Sequence, residues 1–524
     1  MTKKFGVVLT LLVFVSFCSG YKLLLVFPVP SRSHFNLGSA LARGLANAGH
    51  DVTLLSPYND KYVPTNGTYR PIELNEIAEE YNKYGMDMFT FGESTTKLFK
   101  MFTDLINLIS RGTLGSPKVK KLLDNGETFD AVILEEFTTD ALKVFRHLFK
   151  AHLIAYSSVG PNSMVNDLVG NPSPLSFIPE MNSGLPMKMS FFQRVYNLWI
   201  HVFFKVFFAL AMPNQEILLK EYYPDSPSIE DLKKNISLVL MNSHVSNFQP
   251  VPTVPKMVAI GGYHVQPPKG LPKDLKDYLD NAEHGVVYFS MGSVLKSKNM
   301  PREKIDVLIG AFKQLKQKVL WKWEEDNLPG IPDNVRTMKW VPQADVLAHP
   351  NVKLFITHSG LLSTTETIYY GKPVLCIPIF GDQPINAQNM VNHGFALRHD
   401  YKDLTNSEEF LSKINEMLNN PKYYENAQMR SKIMHDRKVR PIDEAAFWVE
   451  YVIRHNGAEH LRVAGEDLTW YQYLLIDVVL LVSAVVLLVL TGCFVLLRCI
   501  TRKILGKYCR CKSTSEKNKK IKKN

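Results

Sequence analysis

Cysteine is scarce, and it is scarcest where a secreted body would use it. Six occur in 524 residues. Cys18 lies in the N-terminal apolar run, Cys493 in a C-terminal one, and Cys499, Cys509 and Cys511 in the basic tail, so Cys376 stands alone in the body. One cysteine forms no internal disulfide. A body of about 450 residues must then hold by its core, which a chain of that length can bury. The body also lacks a charge excess. The formal net charge is +11, from 61 Lys+Arg against 50 Asp+Glu. From Arg498 onward there are 11 bases and one acid, Glu516, and the first 20 residues hold Lys3, Lys4 and no acid, which leaves the body at −1. No basic field is available there for a phosphate backbone, so nucleic acid is excluded as a partner. Internal repeats are missing, and low complexity is confined to the Lys-rich tail. The 46% hydrophobic content, with 30 Pro and 29 Gly spread along the chain, excludes a disordered or fibrous protein.

Both charged ends have membrane explanations. Lys3-Lys4, the apolar run Phe5 to Phe17 and the small residues Ser19-Gly20 predict a signal peptide over 1–20. Val478 to Leu497 is a run of twenty residues without a charge. At about 1.5 Å per residue it spans roughly 30 Å, one hydrocarbon core. Trp470, Tyr471 and Tyr473 precede it as an aromatic belt, and Arg498, Arg502 and Lys503 follow. The expectation is a transmembrane helix over 474–497 and a basic cytosolic tail over 498–524, with the body lumenal, in a single-pass type I protein. The tail ends Lys520-Ile521-Lys522-Lys523-Asn524, which reads either as a dilysine retrieval signal of the endoplasmic reticulum or as a polybasic segment drawn to anionic lipid. Asn66-Gly67-Thr68 and Asn235-Ile236-Ser237 are N-glycosylation sequons, usable in the lumen.

The body shows strand–turn–helix alternation twice. Lys22 to Val29, Phe35 to Ala48 and Asp51 to Ser56 read as strand, helix and strand, with Leu37, Leu41 and Leu45 at helical spacing. A strand over Asp130 to Leu134, a helix from about Thr139 and a strand over His152 to Tyr156 follow. A Pro- and Gly-rich break over 251–284 marks a linker. The alternation restarts at Val286 to Ser290 and continues through strands near 319–323, 334–339, 352–357 and 373–377. The fold class is therefore α/β: two Rossmann-like domains facing across a cleft, plus one C-terminal transmembrane helix. The expected bounds are 21–250 for an N-terminal domain, 285–440 for a C-terminal domain and 441–473 for closing helices. Phe191 to Leu210 is rich in Phe, Tyr and Trp, and reads as a helix on the membrane surface, a wall of an apolar acceptor pocket, or a buried core helix.

Chemistry concentrates in Thr357-His358-Ser359-Gly360, with Ser363, Glu366 and Asp382-Gln383 after it. A strand delivers this turn to a helix N-terminus, whose free N–H groups and dipole bind phosphate. Gly360 permits close approach, and His358 can donate to a diphosphate oxygen. Glu366 can accept from a ribose, and Asp382-Gln383 can read sugar hydroxyls.

The segment from Phe355 to Gln383 resembles the signature of UDP-glycosyltransferases at every fixed position, including Pro373 and Pro378. The chain as a whole is similar to the membrane-anchored microsomal branch, with Leu361 to Glu366 similar to insect-type members. The resemblance implies a GT-B type fold and further roles. Trp340 and Gln343 of Trp340-Val341-Pro342-Gln343 would hold the uracil, and Gly292 and Ser293 would form a glycine turn touching the diphosphate. His34, between the first strand and helix, would be the general base; a neutral imidazole suits that work. Its carboxylate partner is either Glu135, which fits the family spacing, or Asp140, which keeps the family residue type. A UDP-sugar is then the co-substrate, and no metal cofactor is expected because helix N-termini and His358 meet the departing diphosphate.

Two rivals remain. A metal-dependent single-domain transferase would want Asp-x-Asp after a strand, and Glu324-Glu325-Asp326 reads instead as an acidic turn. A dinucleotide oxidoreductase would want Gly-x-Gly-x-x-Gly after a leading strand, which neither domain has. A non-catalytic binding protein with the same fold is a third option. The expectation is an inverting enzyme that moves a hexose, glucose rather than glucuronic acid, from UDP onto hydroxyls of small lipophilic acceptors. The membrane is its other partner, and the sequence leaves open whether it forms a homo-oligomer.

Overall fold

The computed structural model describes residues 20–83, 89, 95–181 and 183–521, without the side chains of 95–99, 211–212 and 509–521. The expected signal segment, apart from Gly20, and the terminal Lys522-Lys523-Asn524 lie outside the described residues.

The described chain up to Val463 forms one compact unit, built on two all-parallel sheets. The first holds β1 (Lys22–Val26), β2 (Asp51–Ser56), β3 (Thr68–Glu73), β4 (Ala131–Glu135), β5 (His152–Ser157), β6 (Ile236–Met241) and β7 (Met257–Ala259), in the order β3-β2-β1-β4-β5-β6-β7. The second holds β8 (Val286–Ser290), β9 (Lys318–Lys322), β10 (Val335–Met338), β11 (Val352–Thr357), β12 (Val374–Cys376) and β13 (Ala396–Arg398), in the order β10-β9-β8-β11-β12-β13. Both orders reverse direction beside their first strand, between β1 and β4 and between β8 and β11. In doubly wound sheets that crevice, at the carboxyl ends of the strands, is where ligands bind.

The strands are apolar because both faces are covered. In β1, Leu24 and Val26 pack into a core on one face and Leu23 and Leu25 into a core on the other. The second of these cores takes Leu37, Leu41 and Leu45 from the helix Arg32–Asn47. It also takes Ala445, Ala446, Val449 and Val452 from the helix Pro441–Arg454, so the chain returns to the first sheet after finishing the second. The helix expected from about Thr139 is a 3-10 turn over Asp140–Lys143 followed by an α-helix over Val144–Phe149.

The aromatic stretch is one helix of 32 residues, Phe191–Tyr222, opened by a capping box between Ser190 and Gln193. It is not a buried core helix. Phe192 is 80% and Trp199 59% exposed, while a narrow stripe including Asn197, Ile200 and Phe207 is buried. The remaining unit, Ala464–Asn524, is dominated by the helix Ile476–Ile521, whose part Ile476–Tyr508 is long and apolar enough to cross a membrane.

Candidate active site

The first sheet sets a histidine against a carboxylate at its switch point. β1 runs into a short turn, and His34 sits in the first turn of the helix that follows. β4, the neighbour of β1, ends on Glu135. His34 Nδ1 lies 2.5 Å from Glu135 Oε1. The Glu135 side chain is fully buried, and its Oε1 also accepts from the hydroxyl of Ser158, just past β5. An ionised carboxylate accepts only, so Nδ1 carries the proton and Nε2 keeps its lone pair. Burial pushes the His34 imidazole down, but attraction and hydrogen bonding from Glu135 more than offset it. Asp382 adds to the rise, and the net shift is upward from the ordinary histidine range. Phe137 sets its ring edge-on to His34 at 5.5 Å.

Asp140, the other candidate partner, is not at His34. Its carboxylate is buried in an ion cluster, 2.7 Å from both Lys143 and Lys233. Lys143 also bonds Glu136 at 2.7 Å. Burial alone would raise Asp140, but the two lysines hold it at about 2. Spacing, rather than residue type, identified the carboxylate that meets His34.

The second sheet builds its site at the matching switch point. β8 leads into Met291-Gly292-Ser293, and the adjacent β11 leads into His358-Ser359-Gly360 and the helix Leu361–Tyr370, capped by Gly360. The two glycines make room for one ring. A Cβ on Gly292 would stand 2.5 Å from His358 Cε1, and one on Gly360 would stand 2.5 Å from His358 Nε2. Gly292 also has φ of 87°. Burial first, then the charge of Lys322, lowers His358 to about 4, so the ring is neutral near pH 7. Thr357 is buried, with its hydroxyl 3.3 Å from His358 Nδ1, and Ser293 is exposed.

A second cluster lies along that helix. The Gln343 amide nitrogen donates to Glu366 at 2.6 Å and to Ser363 at 2.9 Å, and Tyr288 donates its hydroxyl to Gln343 Oε1 at 3.1 Å. Burial raises the Glu366 carboxyl to about 7, against the opposing pull of the Gln343 bond. Trp340 is 71% exposed, so its indole is open to stacking rather than part of a core.

Asp382 and Gln383 open the helix Gln383–Asn392. Asn386 donates to Asp382 at 2.6 Å and to the Ser359 carbonyl at 3.1 Å, which ties the two loops together. Burial raises the Asp382 carboxyl, and the Asn386 bond and His34 work against that rise. Gln383 is oriented by its loop: its Oε1 accepts from the Ile379 N–H at 2.9 Å and the Phe380 N–H at 3.2 Å. Its amide nitrogen is therefore the end that can meet a sugar hydroxyl. The mutual effect of His34 and Asp382 links the first sheet's site to the second's. Asn66 and Asn235 are both exposed and stand apart from this cluster.

Sequence reasoning missed three contributors: Ser158 shares Glu135, Tyr288 orients Gln343, and Asn386 holds Asp382. Lys322, which stands where members of the resembling family often carry Arg near the nucleotide and is not among the expected site residues, donates to the Gly292 carbonyl at 2.8 Å. Asn386 could have been found, since it lies one helical turn from Asp382. The other two, Ser158 and Tyr288, depend on contacts between elements far apart in the chain.

Two open parallel sheets, with a histidine–carboxylate pair at one switch point and a helix N-terminus backed by a neutral histidine at the other, define a glycosyltransferase of the GT-B fold. The solved structure of a UDP-glucose: anthocyanidin 3-O-glucosyltransferase in complex with UDP shares this fold, with a TM-score of 0.54 at 16% identity, over 83% of this chain and 99% of that one. Residues 22–511 match the family described as UDP-glucoronosyl and UDP-glucosyl transferase, and the chain belongs to that family as a UDP-glycosyltransferase. It is 37% identical to UDP-glycosyltransferase UGT5 of Dactylopius coccus, over 98% of this chain and 99% of the relative. It is 33% identical to UDP-glucosyltransferase 2 of the same organism, over 98% of both. Human UDP-glucuronosyltransferase 2B7 is 31% identical over 88% of this chain and 90% of its own length.

Proposed function

We propose that this enzyme transfers glucose from UDP-glucose to hydroxyl groups of small lipophilic acceptors, with inversion at the anomeric carbon. The observation that carries the mechanism is the 2.5 Å contact of His34 with buried Glu135, with Asp382 of the donor site acting on the same imidazole. Glu135 fixes the tautomer, so Nε2 is the base. It takes the proton of the acceptor hydroxyl while that oxygen attacks C1. The C1–O bond to the diphosphate breaks, and its electron pair leaves with UDP. Glu135 steadies the imidazolium that forms, which the raised proton affinity of His34 reflects. On the leaving side, the N–H groups opening the helix Leu361–Tyr370 and the neutral ring of His358 meet the diphosphate. Trp340 offers a stacking face to the uracil, Glu366 accepts from the ribose, and Asp382 with the Gln383 amide positions the hexose. The step needs no divalent metal, so transfer should survive chelation.

Glucose is favoured over glucuronic acid because the relatives with the higher identity are insect enzymes, one of them a UDP-glucosyltransferase by name. The C-terminal helix supports anchoring in the endoplasmic reticulum membrane, with the body lumenal and Asn66 and Asn235 as glycan sites. Competing UDP-glucose against UDP-glucuronate at a fixed panel of phenolic acceptors tests the donor. Faster transfer from UDP-glucuronate would overturn the glucose assignment. Glycosidase-sensitive shifts lost in Asn66→Gln and Asn235→Gln test the orientation.

A further inference from the structure

The helix Phe191–Tyr222 presents an apolar face that nothing among the described residues of the compact unit covers. Phe192 is 80% exposed, Trp199 59%, Val206 54% and Leu210 65%. Between Phe191 and Gln215 its basic residues are Arg194, His201 and Lys205, with no acid; His201 pairs with Glu180 and Lys205 with Asp167 from the unit it packs on. A broad apolar face rich in Phe and Trp, bearing basic and no acidic residues of its own, is the composition of a helix lying in a lipid interface. Its attachment argues against crossing. Asn197 Nδ2 donates to the Leu175 and Ile178 carbonyls at 3.0 and 2.8 Å. Gln215 Oε1 accepts from Ser110 at 2.8 Å, and Phe207 and Leu219 are buried. These contacts at both ends of the aromatic stretch hold the helix flat against the unit.

From that face a run of aromatic rings leads to the catalytic pair. Trp199 stacks on Phe203 at 5.6 Å, Phe203 meets Phe204 at 5.5 Å, and Phe204 stacks on Phe208 at 6.0 Å. Phe208 lies 6.5 Å from Phe102, Phe102 lies 5.7 Å from Phe137, and Phe137 lies 5.5 Å from His34. An apolar solute that partitions into lipid would meet apolar rings along this whole route.

We propose that the aromatic face of the helix Phe191–Tyr222 docks on a lipid bilayer, and that acceptors dissolved in that bilayer reach His34 along these rings. The proposal rests on the functional reading above and names where its acceptor comes from. The test uses the full chain in phosphatidylcholine vesicles containing phosphatidylserine and a photoactivatable phospholipid. The comparison protein carries Phe192→Ser, Val202→Ser and Val206→Ser, all at exposed positions away from the ring route. Wild type should cross-link to lipid within residues 191–210, and the triple variant should not. The variant's KM for a membrane-partitioning acceptor should rise about tenfold. Its KM for a water-soluble acceptor and for the UDP-sugar should stay within about twofold.

No lipid cross-link in that stretch overturns the proposal, as does an equal rise for both kinds of acceptor. A wild-type particle of doubled mass that the triple variant halves also overturns it, in favour of a second copy of this chain on the face. If wild type transfers to no acceptor, the functional reading fails, and the cross-links alone still decide the docking.

Discussion

Replacing Gly292 by alanine tests the donor site where its geometry is tightest. The new methyl would stand 2.5 Å from Cε1 and 2.8 Å from Nε2 of His358. Gly360 also lies against this end of the ring, so the ring is already tightly held where the methyl would arrive. It must leave the position from which it faces the diphosphate. A hydrogen bond to a charged group contributes about 1.5–3 kcal/mol, so the donor KM should rise about 10- to 150-fold. The backbone adds its own cost, since φ of 87° is unfavourable for alanine by about 1–2 kcal/mol. That term should lower Tm by a few degrees without touching donor binding. Gly126→Ala separates the two effects. Gly126 has φ of 64° and nothing within 4 Å of a Cβ, so it carries the strain without the collision. Donor KM from initial rates, UDP titration calorimetry and thermal melts on the three proteins decide the matter. UDP affinity unchanged in Gly292→Ala, or weakened equally in Gly126→Ala, would refute the assignment of His358 to the diphosphate.

Glu135→Gln should lower kcat by about 100-fold or more. The base works only when neutral, so activity falls as pH drops through the His34 pKa. Glu135 raises that pKa and burial lowers it, so the variant's acid limb should move to lower pH, and an unmoved limb would contradict the pairing. Asp140→Asn should leave the limb where it is, since Asp140 bonds lysines instead. Glu366, raised to about 7, ionises as pH rises from 6 to 8, and only the ionised form accepts from both ribose hydroxyls. UDP should therefore bind more tightly across that range, with a flat response in Glu366→Gln. Lys143→Met strands Glu136 and half of the Asp140 charge in the interior, and should cost about 3–5 kcal/mol in denaturant unfolding.

Much of this was legible in the chain because parallel strands covered on both faces must be apolar throughout. That is why β1, β4, β8 and β11 stood out, and with them the strand ends and following turns that carry His34, Glu135, Gly292 and His358. The strand β3 did not stand out, because Thr68–Glu73 is largely polar and only partly buried, at the sheet edge. The strands β7 and β13 span three residues each and lack an apolar run as long as the one around β12. The ion cluster around Lys143 was invisible for another reason. Lys233 reaches Asp140 from a helix more than 90 positions away, and no local spacing announces that contact. The same holds for Tyr288 and Gln343, whose bond depends on how β8 sits beside the helix Gln343–Ala348. The long aromatic helix was ambiguous on composition, and its exposure resolved one alternative.

The central claim is that His34, paired with Glu135, is the base for hexose transfer from a UDP-sugar. Its most direct test is transfer from radiolabelled UDP-glucose to a phenolic acceptor by membranes bearing wild type or His34→Ala. Wild type should show clear transfer and the variant a loss of about 100-fold or more, with UDP binding kept. Equal, non-zero transfer by the two proteins would contradict it.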